Sequence, residues 1–236
     1  MSIFTSLGII LLAMLIQGFL QTAPAIFAIF YHHAIAKTSA KKADDQSLSF
    51  ILGVEIFIAI FFLATYLVTA FILLNTKSID DIFLYTMAGI FILEAIVTFL
   101  FYFRPGKKNQ KTTKLFIPRK LKNQLVKKAE NVKNRSGTIA LGFIASALEL
   151  FFTLPLFIVS SVEIFKTEFS AGFVFIIAYI VIATIPLFTI RTVFRRDHNL
   201  ADIQRFRTKK KLFFRLVIST SYLLIATLLI VSGIYK

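Results

Sequence analysis

Six long apolar segments leave few options for how this chain can fold. Each is about 20 residues or longer, the length that an α-helix needs to cross a hydrocarbon core of about 30 Å. Strands of a membrane barrel alternate apolar and polar residues over about ten positions, and these blocks show no such alternation. The sequence therefore predicts an all-α integral membrane protein with six transmembrane helices, which are Ile3–Phe30, Leu48–Leu74, Ile82–Phe103, Thr138–Val159, Ala171–Ile190 and Leu212–Ile234.

The composition agrees with lipid as the main solvent. Hydrophobic residues make up 57% of the 236 residues and charged residues only 17%, whereas a typical soluble domain has about 25% charged residues. The chain has no cysteine, which excludes disulfides, thiolate metal sites and thiol redox chemistry. No basic stretch precedes the first apolar segment, and the segment is too long for the core of a signal peptide, so we expect a retained span.

The basic residues predict the orientation of these helices. Of the 27 Lys and Arg residues, 24 lie in or beside alternate loops, at residues 31–47, 104–137 and 191–211. Basic loops stay on the cytoplasmic side of the plasma membrane, so we expect these three loops inside the cell and both termini outside it. A net charge of +15 also occurs in nucleic-acid-binding proteins. Because the bases are confined to short loops between apolar spans, however, no nucleic-acid partner is predicted.

The longest loop contains a predicted amphipathic helix. Pro105 and Gly106 end the third span, and after Pro118 four apolar residues fall on one helical face among Lys and Asn. Basic helices of this kind lie in the headgroup plane and bind anionic lipid, and the alternative is packing onto the cytoplasmic end of the bundle. The apolar residues are Leu121, Leu125, Ala129 and Val132, and the predicted headgroup contacts are Arg119, Lys120, Lys122, Lys127 and Lys128.

Local similarities divide the six spans into two sets of three. Pro24 in the first span corresponds to Pro155 in the fourth, each follows a Thr two residues earlier, and a glycine lies further upstream, Gly18 and Gly142. Three spans are an odd number, so the two halves have opposite orientations, and such inverted repeats build many transporters. The predicted parts are a first three-helix repeat at residues 1–103, a basic cytoplasmic linker at 104–137 and a second three-helix repeat at 138–236.

The prolines and three acids inside the spans predict a functional site. Proline removes a helical hydrogen bond, and in lipid the freed groups need protein or water partners. An ionisable residue at the bilayer centre costs a few kcal/mol and usually marks a substrate or proton path, although kinked helices and hydrogen-bonded glutamic acids also serve structure alone. The predicted substrate or proton path consists of Glu149, Glu94, Glu55, Gln17, Gln21, Thr22, Pro24, Thr153 and Pro155.

Motifs of common enzyme classes are missing from the sequence. It has no P-loop, no Gly-rich nucleotide fingerprint and no Gly-x-Ser-x-Gly or His-Glu-x-x-His motif. His32 and His33 are adjacent and do not share a helical face, which argues against a two-histidine metal site. We therefore predict no enzymatic activity, no cofactor and no metal.

In this layout the chain resembles the LysE-type exporter superfamily, small proteins of six helices in two inverted triplets with a proline in the first helix of each half. The stretch that begins at Pro24, the Ser49–Gly53 stretch, the long basic loop and the Leu148–Leu150 stretch before Pro155 are most similar to its glycopeptidolipid- and sulfolipid-addressing branch. Thr-Ala-Pro stands where amino-acid exporters have Pro-Gly-Pro, and the paired cysteines of the related thiol-redox carriers are missing. The resemblance implies export of a small solute or help in moving an envelope lipid.

Together these features predict a proton-linked secondary transporter. We expect it to export a small solute or an envelope lipid precursor by alternating access, with the bilayer and its anionic headgroups as partners. The alternative is a membrane partner without transport activity, such as a subunit, an assembly factor or an immunity protein, and lipid scrambling is a third option. Association with a second copy of the chain or with another membrane protein is left open.

Overall fold

The computed structural model describes residues 3–20, 22–75, 81–102, 119–132, 134–166, 169–197 and 211–234, and within these ranges it contains helices and no strand. The helices are α1 (Ile3–Phe19), α2 (Thr22–Lys37), α3 (Ala40–Asn75), α4 (Asp81–Val97), α5 (Arg119–Asn131), α6 (Arg135–Ala147), α7 (Leu150–Phe165), α8 (Phe169–Asp197) and α9 (Lys211–Ile234), and a π-helical turn (Thr98–Tyr102) continues α4.

The helices are long and apolar enough for a multi-pass membrane protein. Among the described residues, five stretches qualify as membrane spans: α1 and α2 taken together, α3, α4, α8 and α9. The pair α6 and α7, bent by 78°, qualifies as a sixth only if it is counted as one span. The all-helical fold is therefore confirmed, with helices compatible with five or six membrane spans. The predicted first and fourth spans each consist of two helices, and the bent pair has the form of a broken span or a re-entrant loop.

The two helix breaks precede the prolines. Because α2 begins at Thr22, Pro24 falls in its first turn, where the missing N–H has no intrahelical partner to lose. Similarly, α7 begins at Leu150, and Pro155 lies inside it beyond the first turn. Neither helix break thus coincides with its proline, and each lies at least three residues upstream of it.

The second span of each predicted half, which is α3 in the first half and α8 in the second, packs against the divided first span of the other half. α3 packs along α6 and α7, and α8 packs against α1 and α2. α1 also contacts α7, α2 contacts α6, and α4 packs along α9. Exchanging the two predicted halves converts each of these pairs into itself or into another pair of the set. The contacts of α1 with α9 and of α4 with α7 have no similarly close counterparts between α6 and α4 and between α9 and α2.

Glycines allow the helices to approach closely at these crossings. A Cβ atom at Gly53 of α3 would overlap a backbone carbonyl of α6, and one at Gly142 of α6 would overlap a backbone carbonyl of α3. Gly18 of α1 lies against α8, where a Cβ atom would be 3.4 Å from the ring of Pro186. Small residues at crossings let membrane helices pack through their backbones, so these three positions set the spacing between the two halves.

The amphipathic helix α5 packs onto the bundle with its apolar face. Leu125 and Ala129 are buried, and α5 contacts α2 and α6. Lys37 Nζ of α2 donates a hydrogen bond to the backbone carbonyl of Glu130 at 2.7 Å, and His33 Nε2 lies 3.6 Å from the Glu130 carboxylate. Most of the apolar face is therefore occupied by protein, which is the alternative that the sequence left open, while Leu121 near the start of α5 is exposed.

The polar face of α5 remains available to headgroups. Lys127 and Lys128 are exposed, while the side chains of Arg119, Lys120 and Lys122 lie outside the part of the chain that the structure describes. Binding of anionic lipid by this face stays a prediction.

Substitution of the crossing glycines should destabilise the fold. We expect Gly142→Ala to lower the free energy of unfolding by about 1–3 kcal/mol, because the added methyl group must displace the α3 backbone. The measurement is thermal unfolding in detergent, and Gly89→Ala is the matched control because a Cβ atom there meets nothing within 4 Å. Equal stability of the two variants would contradict the close approach of α3 and α6.

Candidate functional site

A small cavity lies between the two helix breaks. Residues on both sides of the first break, among them Gln17 and Pro24, line it together with Ser146 and Glu149 at the second break. The volume open to the centre of a water molecule is about 20 Å³, which is enough for about one water. This central cavity is therefore closed to larger molecules in the present conformation.

The remaining walls of the central cavity come from α3 and α8, the second span of each predicted half. α3 contributes Val54 and Ile58, and α8 contributes Ala183 and Leu187. Both pairs are four residues apart, which places each pair on one face of its helix. The central cavity thus takes corresponding elements from both halves, a broken helix and an apolar helix face.

Glu149 is placed at the second break by the chain itself. Its backbone carbonyl accepts hydrogen bonds from the amides of Phe152 at 2.9 Å and Thr153 at 3.0 Å, which begin α7. Its side chain makes no capping bond to that helix and lines the central cavity. The residue is only 5% exposed, so a carboxyl group sits in an apolar region beside a space that can hold water.

Two further polar atoms at the central cavity have no hydrogen-bond partner within the described ranges. They are Gln17 Oε1 and Ser146 Oγ, and Ser146 is only 4% exposed. Buried polar atoms are nearly always hydrogen-bonded, and leaving one unsatisfied costs about 1–3 kcal/mol. A water molecule or a ligand in the central cavity is the partner that these atoms can take.

Part of the predicted path meets at the central cavity. Gln17, Pro24 and Glu149 line it. Glu55 lies next to Val54 in α3 and is half-buried. Gln21 falls outside the described residues, and Thr22 is described only as the first residue of α2.

The other predicted members lie away from the central cavity. Thr153 is fully buried, and its hydroxyl group lies 3.4 Å from the Leu150 carbonyl of its own helix. Pro155 is half-buried in α7, and Glu94 of α4 is 2% exposed. None of these three lines the central cavity.

A buried acid that sequence reasoning assigned to a loop closes one end of the bundle. The sequence predicted that the fourth span ends at Val159, but α7 continues to Phe165, because Val162, Ile164 and Phe165 extend its apolar run. Glu163 is 0% exposed. Ser6 Oγ of α1 donates to its Oε2 atom at 2.7 Å, and Lys166 Nζ donates to its Oε1 atom at 2.7 Å. We call Ser6, Glu163 and Lys166 the outer closure, because the predicted orientation places this end outside the cell.

An ion pair closes the end that carries the basic loops. Arg191 of α8 donates from Nε to Asp44 Oδ1 at 2.9 Å and from its terminal nitrogen to Asp44 Oδ2 at 2.7 Å. The hydroxyl group of Tyr31 in α2 lies 3.4 Å from the same Oδ1 atom. Both charged residues were assigned to loops in the sequence, but α3 begins at Ala40 and α8 continues to Asp197. We call Tyr31, Asp44 and Arg191 the inner closure, because the predicted orientation places this end inside the cell.

The comparisons with known proteins identify no relative. No protein-family model, no curated protein sequence and no solved structure matches this chain. Among the described residues there is no group of three or more His, Cys, Asp or Glu side chains that could hold a metal ion. The similarity to LysE-type exporters stays a prediction from short stretches of sequence.

The unsatisfied hydroxyl group of Ser146 leads to a stability prediction. We expect Ser146→Ala to leave the free energy of unfolding unchanged or to raise it by up to about 1–3 kcal/mol, because it removes a buried polar atom without a protein partner. The control is Ser47→Ala, where the buried hydroxyl group donates to the Asp44 carbonyl at 2.6 Å and its loss should cost about 0.5–1.5 kcal/mol. Chemical or thermal unfolding in detergent measures both, and a loss at Ser146 as large as that at Ser47 would rule out a ligand-facing hydroxyl group.

Proposed function

We propose that this chain is a proton-linked secondary transporter that exports a small solute by alternating access between two inverted three-helix halves. The observation that carries the proposal is the central cavity, which lies between two broken helices and is lined by Glu149, Gln17 and Ser146. Broken helices that meet near the middle of the bundle are the usual construction of substrate sites in membrane transporters.

The cost of these features in lipid supports a functional role. Hydrocarbon offers no hydrogen bonds to the backbone groups that a helix break frees, and a buried carboxyl group adds a further penalty. Both breaks and the carboxyl group of Glu149 adjoin the same cavity. A wet, protein-lined site accounts for all three features together, whereas isolated kinks would place them independently of each other.

The charge of the lining supports a proton or a cationic solute as the transported species. The described lining residues include one acid and no base, and Gln17 Oε1 is a hydrogen-bond acceptor that still lacks a donor. A carboxyl group that can lose its proton while a cavity is open to one side provides coupling to a proton gradient. An anionic solute would meet Glu149 without a compensating charge from these residues.

The inner and outer closures support alternating access. The inner closure joins α2, α3 and α8, so it connects the predicted halves at one end. The outer closure joins α1 and α7, which also belong to different halves. The two closures thus join the predicted halves at both ends of the bundle, and release of one closure at a time would open the central cavity to one side. The packing of α3 on α6 and α7 and of α8 on α1 and α2 is consistent with halves that move relative to each other.

Removal of the Glu149 carboxyl group tests proton coupling. We expect Glu149→Gln in reconstituted vesicles to abolish the pH dependence of solute flux, because the amide cannot carry a proton between the two sides. The matched control is Glu130→Gln. Glu130 lies on α5 with a side chain that is 37% exposed, so its replacement should leave the pH dependence intact.

Two outcomes would contradict the proposal. Flux through Glu149→Gln that keeps the wild-type pH dependence would exclude coupling at this residue. Absence of flux for every gradient of small cations, combined with a stoichiometric protein partner on purification, would favour the membrane partner without transport activity.

The inner closure can be tested by reversing its charges. We expect Asp44→Asn to favour the conformation open to the basic-loop side, because it removes the acceptor charge for Arg191. In a chain without cysteine, labelling of Ser146→Cys by a water-soluble thiol reagent reports this opening. Asp44→Arg combined with Arg191→Asp should restore slow labelling, and fast labelling in this charge-reversed variant would show that the ion pair does not close the cavity.

A further inference from the structure

The interface between α4 and α9 contains a second set of buried polar side chains, remote from the central cavity. Glu94 is 2% exposed, Thr98 1% and Ser219 6%. Both carboxylate oxygens of Glu94, the hydroxyl groups of Thr98 and Ser219, and the Nε atom of Arg215 have no hydrogen-bond partner among the residues that the structure describes. We call Glu94, Thr98, Arg215 and Ser219 the polar seam.

Three contacts fix the register of the two helices. A Cβ atom at Gly233 would lie 3.2 Å from the Tyr85 ring, the Phe91 and Tyr222 rings stack with centroids 5.9 Å apart, and the Arg215 guanidinium lies 4.9 Å from the centre of the Phe99 ring. Residue numbers rise along α4 while they fall along α9, so the two helices run antiparallel.

This register brings the four members of the polar seam together. Glu94 and Thr98 follow Phe91 by three and seven residues, so they share the face of α4 that stacks on Tyr222. Ser219 and Arg215 precede Tyr222 by three and seven residues and share the matching face of α9. Ser219 therefore lies at the level of Glu94, and Arg215 at the level of Thr98, about 6 Å further along the axis.

One end of the polar seam lies near the ends of the two helices that form it. Its Arg215 end lies near the start of α9, on the side of the predicted basic loop that precedes this helix, and near the π-helical turn that follows Val97. Turns of this kind replace regular hydrogen bonds and are frequent at functional sites. The seam thus extends from the middle of the bundle to the surface that carries the basic loops.

We propose that the polar seam is a water-filled proton site, separate from the central cavity, in which Glu94 takes up a proton from the basic-loop side. Four unsatisfied polar groups at one interface are far more than apolar packing tolerates, and internal water is the usual partner for such groups. A proton from water converts the Glu94 carboxylate into a carboxylic acid, and the reverse step returns it to water.

Arg215 is the counter-ion for the ionised form of Glu94. It is one turn from Glu94 in the inferred register, and its guanidinium rests on Phe99. Of the other titratable groups on helices that pack against α4, Tyr222 lies 3.3 Å from the Phe152 carbonyl, Glu163 is bound in the outer closure, and the side chain of Lys211 lies outside the described residues. A fixed positive charge also disfavours a metal cation, which leaves a proton as the species bound.

The use of this proton in coupling rests on the proposed transport function, whereas the proton site itself does not. The absence of cysteine allows water access to be measured at single positions. We expect Thr98→Cys and Ser219→Cys to react with a charged thiol reagent added on the basic-loop side at least about tenfold faster than Ile96→Cys and Leu216→Cys, because the reactive thiolate forms only in water. The two control positions are exposed apolar residues at the same depth on the same helices.

Infrared spectroscopy of the full chain tests the proton directly. We expect a pH-dependent carboxylic acid band that disappears in Glu94→Gln, remains in Glu149→Gln, and persists to higher pH in Arg215→Gln than in Arg215→Lys. Equal reactivity of the seam and control cysteines, labelling only from the opposite side, or a band unaffected by Glu94→Gln would each overturn the proposal. If the band and the labelling are found but flux through Glu149→Gln keeps its pH dependence, the coupling role of Glu149 fails and the proton site stands.

Discussion

The hydrocarbon core of a bilayer cannot hydrogen-bond to a polar group, and this constraint governs the structure of the membrane-spanning helices. Every helix break and buried acid must find protein or water as a partner inside the bundle. The two breaks satisfy this requirement at a common place, where Gln17, Ser146 and Glu149 face one small cavity. The same constraint explains the two closures, in which Glu163 accepts hydrogen bonds from Ser6 of α1 and from Lys166 at the end of its own helix, and Asp44 accepts two from Arg191 of α8.

The approach of the helices makes this meeting of the breaks possible. α3 and α6 cross in backbone contact at Gly53 and Gly142, and α1 rests on α8 at Gly18. Pro186 contributes at the second crossing, because its ring leaves the Ile182 carbonyl without the usual helical donor, and that carbonyl would lie 3.5 Å from a Cβ atom at Gly18. Larger side chains at these glycines would push α3 away from α6 and α8 away from α1.

The sequence predicted the spans, because hydropathy over about 20 residues measures the same transfer free energy that drives membrane insertion. It also identified Gln17, Pro24 and Glu149 through the rarity of such residues inside apolar segments. It did not locate the breaks, since a proline in the first turn of a helix looks like one in its middle. Nor did it find Ser146, which is polar enough for a site yet common in membrane helices. The sequence also did not predict whether the apolar face of α5 packs on protein or on lipid, because an amphipathic face fits both equally.

Separation of Glu149 from Glu94 has a consequence for how a proton would drive transport. A proton bound in the polar seam cannot be handed to the central cavity through the described contacts, so the two sites would have to communicate by movement of helices. One contiguous route exists: Phe91, one turn before Glu94, stacks on Tyr222, and the Tyr222 hydroxyl group lies 3.3 Å from the Phe152 carbonyl. The amide of Phe152 in turn binds the carbonyl of Glu149. A shift of α9 relative to α4 would therefore act on the second helix break directly, which is the kind of packed connection that can couple two sites.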